Sequence, residues 1–307
     1  MGRRRSSGRN VHGILLLDKP VGITSNAALQ TVKRLYRANK AGHTGNLDPM
    51  ASGVLPICLG EATKMSAFLL EADKRYRGII KLGVRTSTAD AEGEVLETHE
   101  VPALSAEVIE SVLARFRGRI EQVPPMHSAV KYKGQPLYKL AHKGLEVERK
   151  AREIEIYALD LVRIEGDELE VDVHCTKGTY VRTLAEDIGA ALGCGGHLSA
   201  LRRTAVGMFR LDDAVALAEL QHLAEDADAQ ARLDEFLLPM EEALAGWPAV
   251  NLTENTAFYL RQGQPVLVPK APSQGWVRLF TQGHEFIGVG QIMDDGRVAP
   301  RRLVSTA

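Results

Sequence analysis

The stretch that decides the fold lies between residues 42 and 56 and reads Gly42-His43-Thr44-Gly45-Asn46-Leu47-Asp48-Pro49-Met50-Ala51-Ser52-Gly53-Val54-Leu55-Pro56. It places one carboxylate, Asp48, in a Gly-rich turn before an apolar run at 54–59 that is typical of a buried strand. Its glycines permit positive φ angles, and Pro49 favours an extended backbone at Asp48. Such a segment can hold one side chain in a fixed orientation at the edge of a sheet, which suits a catalytic group. An isolated Asp-Pro pair would more often be an ordinary turn.

Strands and helices alternate irregularly on both sides of this stretch. The apolar periodicity predicts strands at 13–18, 54–59, 75–82 and 94–96 and a hairpin of strands 153–164 and 168–175. It predicts a helix capped by Thr24 and Ser25 and further helices at 61–71, 105–117 and 180–192. Because these elements do not repeat as strand-helix-strand units, we predict an α+β protein and not a doubly wound one.

The chain changes character near residue 246. Residues 212–246 hold ten acidic residues and one basic residue and are predicted to be helical. Pro248 marks a boundary, beyond which one helix at 253–261 and four short strands with Gly and Pro turns predict a small β-barrel. We therefore expect a disordered basic tail at 1–10, a large domain at 11–247 and a small domain at 248–307.

Charge is distributed unevenly, although the net charge is only −1. Residues 1–85 hold 15 Lys and Arg against 5 Asp and Glu, a balance of +10, which leaves 23 against 34, or −11, for the other residues. A nearly neutral chain can therefore present a basic face to a polyanion. Since the basic residues surround the stretch at 42–56, this pattern favours a nucleic-acid substrate.

Composition argues against several classes of protein. The three cysteines at 58, 175 and 194 form neither a disulfide framework nor a zinc pattern, which favours a reducing cytoplasmic location and no metal. No P-loop or complete Gly-x-Gly-x-x-Gly motif occurs, so we expect no nucleotide cofactor, and indeed no cofactor at all. No apolar run approaches the roughly 18 residues of a membrane span, so no membrane partner is expected.

An unusual basic segment follows Pro124-Pro125 and extends to about residue 152. It holds seven Lys and Arg residues, with Tyr132 and Tyr138 interleaved and glycines as hinges. Basic residues beside exposed aromatic rings suit phosphate contact and base stacking. Without other information, a solvated surface excursion would be the more frequent explanation of such a segment.

Several ordered motifs along the chain belong together. They are Gly13-Ile14-Leu15-Leu16-Leu17-Asp18-Lys19-Pro20, Gly60-Glu61-Ala62-Thr63-Lys64, Asp73-Lys74-Arg75-Tyr76-Arg77, Cys175-Thr176-Lys177-Gly178-Thr179-Tyr180-Val181-Arg182-Thr183, Leu201-Arg202-Arg203, Gly288-Val289-Gly290 and Arg297-Val298-Ala299-Pro300-Arg301-Arg302-Leu303. With the stretch at 42–56, they resemble the TruB family of pseudouridine synthases, which modify the T-loop of transfer RNA, over about residues 11–305. Asn46 departs from this pattern, because a small residue is expected there, and this puts the fine geometry beside Asp48 in question.

The resemblance implies an architecture and a substrate. It implies a mixed, largely antiparallel sheet in the catalytic domain, a mobile thumb at about 124–152 that grips the RNA stem-loop, and a C-terminal PUA-like RNA-binding domain. It also implies a monomer that acts on the T-stem-loop of transfer RNA without a cofactor and extrudes the target base from the RNA.

The same resemblance assigns the chemistry to three residues. It implies Asp48 as the catalytic carboxylate and Arg182 as its ion-pair partner, which would orient Asp48 and keep it ionised. It implies that Tyr76 stacks on the uracil and helps to remove the proton from C5. By position alone, Tyr76 would more often be a core residue of the strand at 75–82.

Other residues are implied as contacts of the RNA. They are Lys19, Pro20, His43, Lys64, Tyr180 and Leu201 around the extruded nucleotide, and Lys131, Lys133, Lys139 and Lys143 in the thumb. Tyr180 and Leu201 would be walls of the pocket, and His43 would insert its ring into the RNA loop. Lys19 and Pro20 would support the catalytic loop.

Pseudouridine formation breaks the N1–C1′ bond of uridine, turns the uracil and rejoins it through C5. A carboxylate suits this reaction because positive charge develops at C1′, as it does in glycoside hydrolysis. One carboxylate can suffice, since the uracil stays bound and is the returning nucleophile. The sequence leaves open whether Asp48 attacks C1′, adds to the pyrimidine ring or removes a sugar proton.

Two other functions are alternatives to this isomerase. A non-catalytic RNA-binding or folding factor could use the same basic surface, but it would not need a carboxylate, which repels phosphate, in its most basic region. A glycosylase would need an activated water and usually a second acid, and no second carboxylate lies in a comparable motif.

Overall fold

The fold is built on one large sheet in which residues 42–56 lie beside a strand from a much later part of the chain. The computed structural model describes residues 8–141 and 143–305. Its strands are β1 (Gly13–Lys19), β2 (Ala41–His43), β3 (Ala51–Leu59), β4 (Lys74–Leu82), β5 (Val84–Thr86), β6 (Val95–Thr98), β7 (Gly118–Gln122), β8 (Lys131–Tyr132), β9 (Gln135–Pro136), β10 (Arg152–Glu165), β11 (Glu168–Cys175), β12 (Gly196–Val206), β13 (Phe209–Arg210), β14 (Val215–Ala216), β15 (Leu237–Leu238), β16 (Ala249–Leu252), β17 (Trp276–Thr281), β18 (Phe286–Ile292) and β19 (Val298–Leu303).

The helices are short and lie against these strands. They are α1 (Ser25–Leu35), α2 (Ser66–Glu71), α3 (Ala106–Ala114), α4 (Leu137–Ala141), α5 (Val181–Ala191), α6 (Leu217–Leu223), α7 (Ala229–Asp234) and α8 (Glu254–Arg261), with 3-10 helices at Gly60–Lys64, Leu211–Asp213 and Met240–Leu244. Thr24 caps α1 by accepting a hydrogen bond from the backbone N–H of Ala27, as the sequence predicts. Within the described residues, no helix combines the length and the apolar character needed to cross a membrane.

The main sheet is mixed and largely antiparallel, which confirms the predicted α+β class. Its strand order is β14-β1-β3-β12-β4-β11-β10-β7, and β2, β13 and β15 pair at its sides. Five of the seven neighbouring pairs on this path are antiparallel, whereas β1 with β14 and β3 with β12 are parallel. Helices α3 and α5 cover one end of the sheet, and α1, α6 and α7 cover the other.

The parallel pair of β3 and β12 requires a glycine. Gly53 pairs with Arg203 and has a φ angle of +104°. A Cβ atom at this position would lie 2.2 Å from the carbonyl oxygen of Arg203, so every larger residue is excluded. This close approach holds the turn before β3, which contains Asp48, against the middle of β12.

The C-terminal domain is a four-stranded sheet in the order β16-β17-β18-β19, with α8 packed on it. Its Phe286 and Val289 join a buried cluster with Ile14 and Leu16 of β1, so the two domains share a hydrophobic core. Trp247, between the domains, stacks on Trp276 with ring centroids 5.5 Å apart. The sheet domain is confirmed, whereas its closure into a barrel stays a prediction.

Several predicted elements differ from the structure. The helix predicted at 61–71 is a 3-10 helix followed by α2, and the one predicted at 105–117 ends at Ala114. The sequence does not predict strand β12, because Arg202 and Arg203 interrupt its apolar pattern. In the fold Arg202 pairs with Asp18 at 2.7 Å, and the guanidinium of Arg203 donates to the carbonyl oxygen of Val54 at 2.7 Å.

Two further predictions need correction. The acidic stretch is only partly helical, since β14 and β15 within it pair with β1. The sequence places Arg9 in a disordered tail, but this residue forms a β-bridge with Ala38 and its side chain pairs with Asp234. Residues 1–7 of the predicted tail lie outside the described residues.

The shared core predicts that the two domains unfold together. Phe286→Ala removes a ring that is 7% exposed, and we expect it to lower the free energy of unfolding by roughly 3–5 kcal/mol in a single urea transition. Phe258→Ala, at a ring that is 57% exposed, is the matched control and should change stability little. Two separate transitions, of which only one responds to Phe286→Ala, would contradict the shared core.

Candidate active site

A cavity of about 620 Å³ lies where the turn before β3, strands β4 and β12 and the start of α5 meet. Five of the predicted site residues line it, namely Asp48, Tyr76, Tyr180, Arg182 and Leu201. They come from four separate parts of the sequence. Pockets of this size hold small ligands and single nucleotides, so the volume fits one extruded nucleotide.

The centre of the cavity is an ion pair between Asp48 and Arg182. Nε of Arg182 lies 3.0 Å from Oδ2 of Asp48, and its Nη1 lies 3.1 Å from Oδ2 of Asp90. The side chain of Arg182 is only 7% exposed and that of Asp90 only 4%, whereas Asp48 is 41% exposed toward the cavity. The guanidinium also donates to the carbonyl oxygens of Thr88 at 3.2 Å and His127 at 2.7 Å. The guanidinium of Arg182 is therefore paired with two carboxylates and two carbonyl oxygens, and it binds Asp48 through Oδ2.

Burial raises the pKa of Asp48 above its usual value of 3.8. Arg182 and Lys19 lower this pKa, and the negative charge of Asp90 raises it. The sequence-based expectation that Arg182 favours the ionised form is correct in direction, but desolvation is the larger effect. Asp48 is therefore a more basic carboxylate than an exposed aspartate.

The turn that contains Asp48 is fixed from three directions. The hydroxyl of Ser25 accepts from the backbone N–H of Leu47 at 2.7 Å and donates to its carbonyl oxygen at 3.0 Å. The N–H of Gly22 donates to the carbonyl oxygen of Pro49 at 2.8 Å, which ties the turn to the segment after Lys19. The N–H of Ala51 donates to the carbonyl oxygen of Asp48 at 3.0 Å.

Arg203 is a second buried guanidinium beneath the cavity and is 1% exposed. It donates to the carbonyl oxygens of Gly45 and Asn46, both at 3.4 Å, and it lines the same cavity as Tyr76. Burial raises the pKa of Tyr76, and the charge of Arg203 opposes that shift. Tyr76 is therefore a neutral phenol, and the positive charge of Arg203 favours its ionised form. The side chain of Asn46 is exposed at the lining of the cavity.

Lys19 and Pro20 are not part of the cavity lining, and Lys19 is buried whereas Pro20 is exposed. Nζ of the fully buried Lys19 donates to the carbonyl oxygens of Pro20 at 2.8 Å and Ile23 at 2.7 Å. Burial lowers the pKa of Lys19 to about 8, and the charge of Asp48 opposes this shift. This placement is compatible with the supporting role that the resemblance implies.

His43 and Lys64 also lie outside the cavity lining. Burial and the charge of Arg203 lower the pKa of His43, so its ring is neutral at physiological pH. Nζ of Lys64 lies 2.5 Å from the carboxylate of Glu61 and donates to the carbonyl oxygen of Leu303 at 2.7 Å. Lys64 therefore connects the two domains, and the structure does not bring it to Asp48.

The predicted thumb contains the hairpin of β8 and β9 and helix α4. Its lysines 131, 133, 139 and 143 are all exposed, and none of them lines the cavity. The base of the thumb does reach the cavity, where it contributes His127, Ser128, Ala129 and Tyr138.

Sequence reasoning missed three residues that the structure brings to the site. Asp90 lies in a polar loop without a recognisable motif, and only its packing against Arg182 reveals it. Arg203 belongs to the Leu201-Arg202-Arg203 motif, but a buried arginine in the middle of a strand has no periodic signal. Ser128 follows the Pro124-Pro125 pair, and its position in the cavity depends on how the thumb base folds back.

Three family models match consecutive parts of the chain. The model of the TruB family pseudouridylate synthase N-terminal domain matches residues 33–181. That of the tRNA pseudouridylate synthase B C-terminal domain matches residues 182–245, and that of the pseudouridine synthase II TruB C-terminal domain matches residues 248–304.

Proteins of known name are similar over almost the full chain. The tRNA pseudouridine synthase B of Nitrosococcus oceani is 60% identical over 302 residues, which cover 98% of this chain and 97% of that protein. The protein of the same name from Coxiella burnetii is 54% identical and covers 96% of each chain. That from Yersinia pestis is 53% identical over 311 residues and covers 99% of this chain and 95% of its own.

Solved structures share the fold. A chain of a Cbf5-Nop10-Gar1 complex matches with a TM-score of 0.74 at 27% identity, over 96% of this chain and 85% of its own. A chain of an H/ACA RNP bound to a substrate RNA containing 2′-deoxyuridine matches with a TM-score of 0.72 at 25% identity, over 95% and 84% of the two chains.

The mixed sheet, the family models and the named relatives together define an RNA-modifying isomerase of the pseudouridine synthase class. The length of the match and the identity to named relatives then settle the family. The chain belongs to the TruB family of pseudouridylate synthases.

The charge of Asp90 predicts a measurable effect on Asp48. Asp90→Asn removes a negative charge that raises the pKa of Asp48, and we therefore expect this pKa to fall. Carboxyl-carbon NMR of the free protein measures it, with Asp167→Asn at an exposed ion pair on Lys81 as the control. An unchanged or higher pKa of Asp48 in Asp90→Asn would show that the charge of Asp90 does not raise the pKa of Asp48.

Proposed function

We propose that this chain converts uridine in the T-loop of transfer RNA to pseudouridine, with Asp48 as the catalytic carboxylate. One observation carries the proposal. It is the contact of 3.0 Å between Asp48 and the buried Arg182 at the wall of a nucleotide-sized cavity. The printed name of the similar proteins, tRNA pseudouridine synthase B, supports transfer RNA as the substrate.

The carboxylate acts where the glycosidic bond loosens. As the N1–C1′ bond breaks, its electron pair leaves with the uracil and positive charge builds at C1′. Asp48 stabilises this charge, because Arg182 orients it and the cavity excludes part of the solvent. The uracil then turns and forms the C5–C1′ bond, the proton on C5 leaves, and N1 takes up a proton, so that no atom is gained or lost overall. The three possible roles of Asp48, at C1′, at the ring or at a sugar proton, all require its ionised form.

Tyr76 stacks on the uracil and takes part in removing the proton from C5. Burial raises its pKa, so the phenol enters the reaction protonated. A role as base therefore depends on Arg203, since the charge of this guanidinium lowers the pKa of Tyr76 and favours the phenolate. Tyr180 and Leu201 complete the walls around the nucleotide.

Tyr180 is held firmly in this position. Its backbone N–H donates to Oε1 of Gln122 at 2.8 Å, and Nε2 of Gln122 donates back to its carbonyl oxygen at 3.1 Å. A rigid ring at the cavity wall lowers the entropic cost of stacking on an extruded base.

RNA recognition extends beyond the cavity. We assign the exposed lysines of the thumb to phosphate contacts, and the neutral ring of His43 to the RNA loop from which the base is extruded. Extruding a base costs a few kcal/mol, and such stacking groups offset that cost. The monomer is the proposed form, because the cavity is complete within one chain.

A non-catalytic RNA-binding factor is the second candidate. The basic balance of residues 1–85 supports it as well as it supports an enzyme. It does not explain why a half-exposed carboxylate with a raised pKa faces a cavity beside a buried guanidinium. Perturbed carboxylates in clefts are typical of catalytic sites.

Asp48→Asn separates the two candidates. We expect it to reduce isomerisation by at least about a thousandfold, because the amide cannot stabilise charge at C1′, while affinity for RNA stays close to wild type. The assay is release of the C5 hydrogen of uridine from T-stem-loop RNA without added cofactor. Substantial turnover by Asp48→Asn would refute the assignment.

The thumb lysines predict a change in salt dependence. Replacing Lys131, Lys133, Lys139 and Lys143 by Ala should weaken RNA binding and reduce the log–log salt slope by about 0.7–0.9 for each phosphate that the thumb no longer binds. The variant with Arg at all four positions keeps the charge and is the matched control. Equal slopes for the Ala and Arg variants would remove the thumb from the RNA interface.

A further inference from the structure

Lys177 is an exposed cation in the lining of the cavity. Four Lys and Arg residues line the cavity in the described part of the chain, namely Lys74, Lys177, Arg182 and Arg203. Lys74, Arg182 and Arg203 are buried, and they donate to carbonyl oxygens of the protein. The side chain of Lys177 is 52% exposed instead. A negatively charged group that arrives with the substrate can therefore reach Lys177 without entering the protein interior.

The backbone on both sides of Lys177 is fixed. Lys177 lies in the turn between β11 and α5. At one end, the N–H of Thr176 donates to the carbonyl oxygen of Glu155 at 2.9 Å, and the hydroxyl of Thr176 accepts from the N–H of Glu155 at 3.0 Å. At the other end, Tyr180 exchanges two hydrogen bonds with Gln122. A contact between Lys177 and a ligand therefore requires a rotation of its flexible side chain and no movement of the turn.

The ammonium group of Lys177 pairs with the carboxylate of Glu71 in the free protein. Glu71 ends α2, and its side chain is 64% exposed. Both residues line a groove that shares Thr176 and Lys177 with the cavity. The groove is acidic, because four carboxylates face two cations there, namely Glu71, Asp73, Glu153 and Glu155 with Arg119 and Lys177. An exposed ion pair contributes little free energy in water, so a competing anion can displace one partner.

We propose that Lys177 binds a phosphodiester group of the extruded nucleotide and leaves Glu71 to do so. This inference rests on the proposed function. A nucleotide in the cavity brings its ribose to Asp48, and a phosphate group with one negative charge follows the ribose on each side. Because Lys177 lines both the cavity and the acidic groove, rotation of its side chain carries Nζ from one to the other. The phosphate contact is favourable, since it releases a counterion from the RNA.

The exchange makes Glu71 a competitor of the RNA. Removing its charge should strengthen RNA binding, but only while Lys177 is present. Two other roles of Glu71 give different results. A carboxylate that acts by repelling the whole RNA would weaken binding whether or not Lys177 is present. An ion pair that serves only to connect α2 to the turn before α5 would leave RNA binding unchanged when Glu71 is replaced.

A double-mutant cycle on the Kd of T-stem-loop RNA separates these roles. We expect Lys177→Gln to weaken binding about tenfold and to reduce the log–log salt slope by about 0.7–0.9, the effect of one lost phosphate contact. Lys177→Arg keeps the charge and should bind as wild type does. Glu71→Gln should tighten binding by up to about fivefold alone, and it should have no effect beside Lys177→Gln. An unchanged Kd in Lys177→Gln or in Glu71→Gln, or a gain from Glu71→Gln that persists beside Lys177→Gln, would overturn the proposal.

The pair of Lys81 and Asp167 is the matched control. It is also an exposed ion pair, and neither residue lines the cavity. Lys81→Gln and Asp167→Asn change the net charge in the same way as the two test variants, and both should bind the RNA as wild type does. Effects as large as those at Lys177 and Glu71 would show that binding responds to net charge alone, and this result would also reject the contact.

Modified RNA locates the contact. A methylphosphonate linkage removes the charge of one phosphate, and it can be placed on the 5′ or the 3′ side of the target uridine. One of these two RNAs should bind the wild-type protein about tenfold more weakly, and Lys177→Gln should cause no further loss on it. A full additional loss on both modified RNAs would place Lys177 on another phosphate and refute its contact with the extruded nucleotide.

The proposed function and the role of Lys177 are tested separately. Turnover by Asp48→Asn would reject the proposed function itself. The binding experiments do not depend on turnover, so an inactive Asp48→Asn protein together with a wild-type Kd of Lys177→Gln would reject only the role of Lys177.

Discussion

The burial of the Arg182 guanidinium is the constraint on which the rest of the site depends. A buried charge is tolerated only when its donors are paired, and removing one partner leaves an uncompensated charge. Arg182 meets this requirement with Asp48, Asp90 and the carbonyl oxygens of Thr88 and His127. These partners belong to the turn that contains Asp48, a polar loop and the base of the thumb. One side chain therefore joins three distant segments to α5.

Arg203 imposes a second constraint of the same kind from below. Its guanidinium donates to carbonyl oxygens of the turn that contains Asp48 and of β3, and its backbone approaches Gly53 too closely for any side chain at that position. The turn that contains Asp48 thus lies between two buried cations, yet the pKa of Asp48 is raised, because the loss of hydration outweighs the charges of Arg182 and Lys19. A partly desolvated carboxylate in a fixed orientation is what a reaction with developing positive charge needs, since it stabilises that charge without first losing water.

Much of the fold and part of the site could be predicted from the sequence. Alternating residues in β4, the capping threonine of α1 and the glycine at the β10–β11 turn are local signals, and the elements they predict are present. The prediction failed for β12, where two arginines look incompatible with a central strand until their partners are known. It failed for Asp90 as well, since a carboxylate in a polar loop is indistinguishable from a solvated one without its contacts.

The sequence by itself determined the α+β class, the family and the candidate carboxylate, because glycine spacing, apolar periodicity and ordered motifs are properties of the chain read in order. Only the tertiary structure decided which charges are buried and which polar groups remain unpartnered. It placed Lys64 at a domain contact and Arg182 beside Asp48, although both are basic residues in sequence motifs of similar appearance. The physical reason is that burial and pairing depend on contacts between residues far apart in sequence, and these determine whether a polar side chain is solvated, structural or free to bind substrate.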